Sequence, residues 1–384
     1  MPLSPLTRIF FTLPFTYEKK IFFVSVLSIA VIALGSFKKN SNNTENKISG
    51  NDSLLYEGEK HFANMQQLTF GGDNAEAYFS FDGKYIVFQK TSVKDGVPCD
   101  QIFVGKVPAP GEKFEYKRVS NGKGRTTCGA FLKDGKHVVF ASTHLDADNC
   151  PPTPDRAKYG NKYIWPLYSS YDIFVADLDG NIVKQLTNSK GYDAEATISP
   201  DGKQMLYTST KDGDIDLYIM NLKTGKEKRI TSALGYDGGA WFSPDGTKII
   251  WRASRPKTEA EVKEYKDLLA ENLVAPTNME VYTANVDGSN MKQVTSFGNA
   301  NWAPAFMPDN KRIIFASNHQ SKRGFPFNLF IINEDGSNLQ KISAEKSFDA
   351  FPMFSPDGKK IIFCSNRNNG GTRDTNIFIA DWVE

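Results

Sequence analysis

The sequence lacks the short motifs that mark serine hydrolases and zinc metalloproteases. It contains no Gly-x-Ser-x-Gly turn, which would expose a nucleophilic serine, and no His-Glu-x-x-His helix, which would hold zinc. Histidine is scarce, with only four residues in a chain of 384. A net charge of +2 gives no basis for a nucleic-acid partner. These absences predict neither a familiar catalytic centre nor a bound cofactor.

Cysteine is also rare, and its four residues do not form an obvious set of pairs. Cys364 falls in a predicted strand, where a cysteine usually acts as a small buried apolar residue. Cys99, Cys128 and Cys150 fall near predicted loops on one face of the fold. A Cys128–Cys150 bridge would tie down a long loop, and Cys99 is the alternative partner, so the pairing stays open.

Long apolar runs are absent except near the N-terminus. Residues 21–37 carry no charge and are flanked by lysine pairs on both sides. As a helix they would span roughly 26 Å, just short of a ~30 Å hydrocarbon core, which is typical of an export signal or a marginal anchor. Residues 1–37 are therefore predicted to be a signal peptide or membrane anchor, and residues 38–64 a polar tether. The remainder is predicted to be exported, and either periplasmic or held at the membrane by this segment alone.

One motif is repeated six times along the rest of the chain. GYDAEATISPDGK (residues 191–203) and GYDGGAWFSPDGT (residues 235–247) share a frame. Each copy has an apolar run, a tight turn and a second apolar run, which predicts a β-hairpin. The six turn acids are Asp82, Asp134, Asp201, Asp245, Asp309 and Asp357. Strand hairpins that recur every ~40–50 residues are typical of propeller blades.

Further strands complete each repeat. A β-branched and aromatic segment follows every hairpin, and a short segment such as KQLT (residues 184–187) ends all repeats but the last. A spare copy, QQLT at residues 66–69, precedes the first repeat and is predicted to pair with residues 376–382, which would protect the open sheet edges. The sequence thus predicts an all-β fold over residues 65–384. We expect a monomeric six-bladed propeller of four-stranded antiparallel blades, closed by an N-terminal strand.

Two fixed positions in the repeat predict polar rings on the face opposite the Asp-Gly turns. The position eight residues before the turn acid opens the innermost strand, and its acids and amides are Asn74, Asp193, Asp237, Asn301 and Asp349. The position ten residues after that acid ends the second strand, and its basic or titratable members are His144, Lys211, Arg255, His319 and Arg367. Together with Glu195 these residues are predicted to bind a ligand at the axial mouth, where calcium is the metal ion to consider. The alternative for each residue is a structural role, in which it caps a loop or ends a strand in solvent.

Two long insertions point to the same face. The connection between the second and third strands is unusually long after His144 in blade two and after Arg255 in blade four. Insertions in repeat proteins map to one face, which is often the binding face. Thr258 and Glu261 predict a capping box that opens a helix in the blade-four insertion. The aromatic residues of the blade-two insertion are predicted to contact a ligand, whereas the opposite face of short turns is expected to offer little concave surface.

The repeats resemble those of the TolB propeller family. The likeness is carried by segments such as GYDGGAWFSPDGTKIIWRAS (residues 235–254) and FPMFSPDGKKIIF (residues 351–363), and it covers about residues 65–384. It implies a bacterial envelope protein that acts through protein contacts on its propeller. TolB itself carries an α/β domain before the propeller, and residues 36–64 are too few to form one. A stand-alone TolB-like propeller is therefore expected.

Two functional hypotheses follow. The first is a non-catalytic scaffold that binds an envelope protein, a peptide or a glycan on the loop face. The second is an enzyme, such as a lyase or a hydrolase, with Asp193, Asp237, Asp349, Glu195 and His144 as its acid–base groups at the axial mouth. Paired carboxylates in a deep axial pocket would favour the enzyme, and a shallow surface with an aromatic rim would favour the scaffold.

Overall fold

The computed structural model describes residues 52–322, 324–344 and 346–384. The predicted leader, residues 1–37, and residues 38–51 of the predicted tether lie outside these described residues. Among the residues that are described, no helix has both the length and the apolar character needed to cross a bilayer. Short 3-10 helices cover Asp52–Leu54, Val93–Asp95 and Arg156–Tyr159.

The chain begins its sheet structure with a strand that belongs to the last blade, β1 (Phe62–Gln67). Blade one then contains β2 (Asp73–Phe79), β3 (Tyr85–Ser92), β4 (Val97–Lys106) and β5 (Tyr116–Arg118). Blade two contains β6 (Thr126–Phe131), β7 (His137–Ser142), the inserted strand β8 (Trp165–Pro166), β9 (Asp172–Asp177) and β10 (Ile182–Gln185). Blade three contains β11 (Asp193–Ile198), β12 (Gln204–Ser209), β13 (Asp216–Asn221) and β14 (Glu227–Arg229).

The second half of the ring repeats the same order. Blade four contains β15 (Asp237–Phe242), β16 (Lys248–Ala253), the inserted elements α1 (Glu259–Ala270) and β17 (Leu273–Val274), then β18 (Glu280–Asn285) and β19 (Lys292–Gln293). Blade five contains β20 (Asn301–Phe306), β21 (Arg312–Ser317), β22 (Asn328–Asn333) and β23 (Gln340–Lys341). Blade six contains β24 (Asp349–Phe354), β25 (Lys360–Ser365) and β26 (Asn376–Trp382), and β1 supplies its fourth strand. The predicted six-bladed architecture is confirmed.

The ring is closed by antiparallel pairing between β1 and β26, as the sequence predicts. Phe62 lies opposite Trp382, and Gln67 lies opposite Phe378. Thr69 extends the contact, because its hydroxyl accepts a hydrogen bond of 2.9 Å from the backbone N–H of Ile377. This pairing leaves blade six with the same four strands as the other blades, so the ring has no open sheet edge at the joint.

The apolar core lies largely between neighbouring blades. Ile102 and Val104 of β4 belong to one buried cluster with Phe131, Val138 and Phe140 of blade two. Burying a side chain of this size contributes roughly 1.5–3 kcal/mol, so each blade is held mainly by its neighbours. A blade therefore depends on the completed ring for its stability.

The two insertions pack against each other. β8 from blade two and β17 from blade four form a two-stranded sheet, in which Trp165 lies opposite Val274. The helix α1 begins at the predicted capping box of Thr258 and Glu261 and buries Leu268 against Ile164 of the blade-two insertion. The two insertions therefore form one structure beside the axis, although blade three separates them in the ring.

Candidate ligand-binding channel

Each innermost strand contains a β-bulge at the same place in its repeat. The bulge residue lies six positions before the turn acid, and its backbone is in the left-handed region, with φ between 47° and 60°. The six residues are Glu76, Cys128, Glu195, Gly239, Ala303 and Phe351. A residue other than glycine held in this conformation costs about 1–3 kcal/mol, and such residues cluster at functional sites.

The bulge changes which side chains face the propeller axis. In a regular strand, residues eight, six and four positions before the turn acid would share one side of the sheet. The pairing of β11 with β12 is interrupted between Ala194 and Thr197, so the regular alternation of side chains ends there. The innermost strands of the other five blades show the same interruption. All six bulge residues line a constriction of about 20 Å³, together with Tyr78, Trp241 and Arg252. This constriction, here called the waist, has room for about one water molecule.

A buried ion pair between Glu195 and Arg252 occupies one side of the waist. The Glu195 carboxylate also accepts hydrogen bonds from the backbone N–H of Gly239 at 2.9 Å, from the Thr208 hydroxyl at 2.8 Å and from the Tyr236 hydroxyl. A Cβ at Gly239 would approach the Arg252 guanidinium to 2.1 Å, so a larger residue there would displace the guanidinium from its present position. Glu195 is thus fully hydrogen-bonded, which is how a buried charge is tolerated.

The second acid of the waist, Glu76, has a different environment. Burial raises the pKa of Glu76 to about 7, a hydrogen bond with the Cys128 thiol opposes that rise, and repulsion from Glu195 adds to it. Burial also raises the pKa of the Cys128 thiol well above its usual value. Glu76 forms no ion pair within the described part of the chain, so it is the acid of the waist that can change its charge near neutral pH.

A cavity of about 390 Å³ opens from the waist on the face opposite the Asp-Gly turns. This loop-face cavity shares Glu76, Cys128, Glu195 and Arg252 with the waist. The blade-two insertion forms one of its walls with Tyr163, Trp165, Pro166, Leu167 and Tyr168. Its volume lies at the lower end of the range of small-molecule and side-chain pockets.

Aromatic rings form a continuous group on that wall. The ring of Trp302 lies 5.2 Å from Trp165 and 6.1 Å from Tyr163, and it stacks on Phe327 at 4.4 Å. The Arg252 guanidinium lies 5.2 Å from the Trp165 ring, which joins the aromatic wall to the ion pair of the waist. Rings held in this way offer an apolar, electron-rich surface to a ligand.

The predicted inner ring of acids and amides lies inside the blades. Asn74, Asp193, Asp237, Asn301 and Asp349 are each at most 1% exposed. Asp237 accepts hydrogen bonds from the Trp251 indole at 2.6 Å and from Arg255 at 2.7 Å. Asp193 accepts one from the Ser189 hydroxyl at 2.6 Å. These contacts give the ring a structural role, and ligand binding by its members stays a prediction.

The predicted basic ring makes contacts of the same kind. Arg367 is buried and donates to Asp349 at 3.1 Å and to Glu59 at 3.0 Å. His144 and His319 each lie 2.8 Å from a serine hydroxyl of their own blade, and Lys211 pairs with Glu227 at 2.5 Å. Of all the predicted site residues, Asn74 and Glu195 line the loop-face cavity. Arg255 lines a separate pocket beside α1.

Sequence reasoning did not identify Glu76, Cys128, Arg252 or Trp302, whereas Trp165 belongs to the aromatic insertion that the sequence predicted to contact a ligand, and it does line the cavity. The bulge position is occupied by glutamate, cysteine, glycine, alanine and phenylalanine, so no shared chemistry marks it in the repeats. The constant offset from the turn acid was its one available signal. The described residues contain no cluster of three or more His, Cys, Asp or Glu that could hold a metal ion.

The disulfide decides between the pairings that the sequence leaves open. Cys99 bonds to Cys150, with their Cα atoms 6.0 Å apart, and Cys128 is free and buried. The Cys128–Cys150 alternative is therefore wrong, because the bulge directs Cys128 toward the axis. The Cys99–Cys150 bridge attaches the blade-two insertion to β4 of blade one, which holds the wall of the loop-face cavity in place.

The turn face also differs from expectation, because it is concave. A cavity of about 310 Å³ opens there from the other end of the waist, and we call it the turn-face cavity. Tyr78 and Trp241 line both the waist and this cavity, and their rings lie 4.5 Å apart. The expectation of little concave surface is wrong, because aromatic and proline side chains at the turn ends of the innermost strands surround an open cavity there.

Comparison with known families agrees with the repeat pattern. The sequence profile of the TolB beta propeller domain matches residues 167–272 and 273–377, which together make up more than half of the chain. The chain belongs to the TolB β-propeller family. No curated protein matches the sequence at a significant level.

Solved structures show the same fold as this TolB-family propeller. A protein assigned as TolB from Agrobacterium tumefaciens is 18% identical, with a TM-score of 0.52, over 82% of this chain and 91% of that one. The hydrazine synthase of Kuenenia stuttgartiensis is 12% identical, with a TM-score of 0.53, over 77% of this chain and 43% of that one. TolB from Acinetobacter baumannii is 18% identical over 81% of this chain and 64% of that one, with a TM-score of 0.49. At such identities the likeness concerns the fold alone.

Proposed function

We propose that this chain is an exported binding scaffold of the bacterial cell envelope, and that it binds a cationic group of a protein, peptide or glycan in the loop-face cavity. The observation that carries the proposal is the combination of an aromatic wall with acids that have no cationic partner. Aromatic faces and carboxylates together are the usual environment for an ammonium group.

The charges at the cavity favour this ligand class. Arg125 pairs with Asp100 at 3.0 Å, and Arg252 pairs with Glu195, so both cations of the cavity lining are already neutralised. Asp73 and Glu76 form no ion pair among the described residues. Burial, followed by repulsion from Asp100 and Asp374, raises the pKa of Asp73. An incoming ammonium group would relieve that repulsion, because an opposite charge nearby favours the ionised carboxylate.

Export is supported by two features of the chain. Residues 21–37 form the uncharged apolar run described above, and lysine pairs flank it on both sides. The Cys99–Cys150 disulfide is of a kind that persists in oxidising compartments such as the periplasm. Cell fractionation of the full-length protein tests this part, and recovery of the reduced protein from the cytoplasm would contradict it.

The enzyme hypothesis gains no support from the same geometry. Asp193, Asp237 and Asp349 are buried within their blades, and Glu195 is paired with Arg252. His144 contacts Ser142 in blade two. An acid–base pair needs two titratable groups that converge on one substrate atom, and these residues do not converge.

The ligand class is tested with matched pairs of probes. Lysine-containing peptides are titrated into the full-length protein beside the same peptides with that lysine acetylated, and glucosamine oligosaccharides beside their N-acetylated forms. We expect one ammonium-bearing class to bind about tenfold more tightly than its acetylated partner, as for loss of a charge-assisted hydrogen bond. Quenching of tryptophan fluorescence by the tightest probe would place it near Trp165 and Trp302.

Two variants assign the binding to the cavity. Glu76→Gln should weaken the preferred probe several-fold, and Glu115→Gln, at an exposed position in blade one, should leave its affinity unchanged. Equal binding of the free and acetylated probes would refute a cationic ligand. If Glu115→Gln lost binding of the probe and Glu76→Gln retained it, the loop-face cavity would not be the binding site.

A further inference from the structure

The turn-face cavity is apolar and has a floor. Aromatic residues three positions before the turn acids line it in most blades, and prolines one position before those acids form much of its rim. The lining includes Phe79, Phe131, Phe242, Phe306, Phe354, Pro200, Pro244, Pro308 and Pro356. The Tyr78–Trp241 pair closes its inner end at the waist. The cavity therefore has room for a short apolar group, and the Tyr78–Trp241 pair blocks its passage into the loop-face cavity.

One charged side chain lines this cavity, and it is Lys133. Lys133 occupies the rim position that is proline in four other blades, and its ammonium lies 4.5 Å from the ring centre of Phe81. Its stem runs over the next turn, where Gly202 leaves room for it, since a Cβ there would lie 2.5 Å from Lys133 Cβ. The ammonium is thereby held beside the apolar opening.

Lys133 differs from Lys84 and Lys203, the lysines of the two neighbouring turns, in having no acid partner among the described residues. Lys84 and Lys203 pair with the acids of their own turns at 3.2 and 3.3 Å. The acid next to Lys133, Asp134, is instead occupied by the imidazole of His137 at 2.6 Å. Within the described residues Lys133 forms neither an ion pair nor a hydrogen bond, so its charge is available to a ligand.

We propose that the turn-face cavity is a second binding site, which takes a medium-chain fatty acid with its carboxylate on Lys133 and its tail against the phenylalanines. A single cation matches a single carboxylate, and a volume of about 310 Å³ with a closed floor limits the length of the tail. Burial of the tail supplies most of the affinity, and the ion pair sets the orientation.

The experiment is calorimetric titration of the full-length protein with octanoate, kept below its micelle concentration. We expect saturable binding of one octanoate. Butyrate should bind at least about tenfold more weakly, since each buried methylene contributes roughly 0.8 kcal/mol. Octylammonium has the same tail and the opposite charge, and it should bind at least about twofold more weakly than octanoate.

Variants separate the head group from the tail. Lys133→Ala should reduce octanoate affinity about two- to fivefold while leaving octanol binding unchanged. Lys203→Ala, the matched control at the next turn, should change neither. Ala305→Phe places a ring in the cavity lining and should abolish octanoate binding, with its fold checked by circular dichroism.

Three outcomes would overturn the proposal. Absence of saturable octanoate binding would exclude a fatty-acid site. Equal affinity for octanoate and octylammonium, with no effect of Lys133→Ala, would exclude the carboxylate contact. Stronger binding of a peptide with an apolar C-terminus than of octanoate would identify a protein tail as the occupant in place of a fatty acid.

Discussion

Two positions of the innermost strand, two residues apart, have different roles in this propeller. The position eight residues before the turn acid is buried and bonded to its own blade or to the neighbouring loop, as Asp237 and Asp349 show. The position six residues before it lies on the bulge and faces the axis, as Glu76 and Cys128 show. Residues at the first position stabilise the blades, and residues at the second position line the waist.

The β-bulge is the reason why these two positions have different roles: one maintains the blade and the other lines the waist. A regular strand would place both positions on the same side and would make them interchangeable. The bulge breaks that equivalence, so the channel residues can vary in type without loss of the bonds that hold each blade. Glu195 is the exception, because it faces the axis and is also bonded to blade four through Arg252.

The largest effect should come from Arg367, the ion-pair partner of Asp349 at the position eight residues before the turn acid. Arg367→Ala leaves Asp349 and Glu59 buried without their cation, and breaking a buried pair in this way costs about 3–5 kcal/mol. Urea unfolding measures this change in the free energy of unfolding. Arg373→Ala, at an exposed position of the same loop between β25 and β26, is the control and should stay within about 0.5 kcal/mol of the parent. Equal costs for the two variants would show that the Arg367 network is not structural.

The second prediction concerns the pH dependence of stability and Glu76, at the position six residues before the turn acid. Glu76 has a pKa of about 7 in the folded protein against 4.5 when unperturbed. Between these values the folded state keeps a proton that the unfolded state has released, so the free energy of unfolding falls as pH rises. Glu76→Gln removes that dependence, which amounts to at most about 3 kcal/mol. The variant should therefore be the more stable protein at pH 8, with little difference at pH 4.

Chemical unfolding of both proteins at pH 4, 6 and 8 measures this difference. The same series with Glu115→Gln serves as a control at an exposed position of blade one. A constant difference between the parent and Glu76→Gln across the three values would show that Glu76 does not hold its proton in the folded protein.

The third prediction returns to the structural position with a smaller change. Asp237→Ala leaves the Trp251 indole N–H without its acceptor and Arg255 without its carboxylate, which costs about 1–3 kcal/mol. Thermal unfolding compares it with Asp146→Ala, at an exposed loop residue, which should not change the melting temperature. If Asp237→Ala instead kept full stability and lost binding of the loop-face probe, the two positions would have exchanged roles.

The smallest effect should come from Cys128, for which the other free cysteine, Cys364, is the comparison. Cys128 lies at the edge of the waist beside the polar groups of Thr127 and Glu76, so Cys128→Ser should change the free energy of unfolding by less than about 1 kcal/mol. Cys364 is fully buried in the apolar interior of β25, where its sulfur accepts backbone hydrogen bonds from Glu76 and Ala77. A serine hydroxyl could accept these bonds, but burial of its own O–H donor there costs about 1–3 kcal/mol. Calorimetric melting of both serine variants tests the order. The reverse order would place Cys128 in the core and Cys364 in the channel.

The repeat made the fold predictable from the sequence. Every hairpin carries its own turn residues, and the spare segment at residues 66–69 has no other strand to complete, so six blades and their closure follow from local chemistry. The helix α1 was equally accessible, because Thr258 and Glu261 form a capping box whatever surrounds them.

The channel could not be predicted in the same way. Alternation along a strand assigns Asp193 and Glu195 to the same side, and only the bulge between Ala194 and Thr197 separates them. The disulfide was ambiguous for the same reason, since the bulge turns Cys128 away from Cys150. Contact between the two insertions depends on the curvature of the ring, which no single repeat encodes.

The pairing of β1 with β26 also sets the order in which this chain can fold. The bond between Ile377 and Thr69 joins residues 308 positions apart, so the ring closes only after all six blades have been synthesised. Until then β1 is a strand with an unpaired edge, which is the kind of surface that other chains can join. Contacts of such long sequence separation form late and slowly. In a chain synthesised from its N-terminus, β1 therefore stays unpaired until β26 is made, and β26 is the segment that covers this edge.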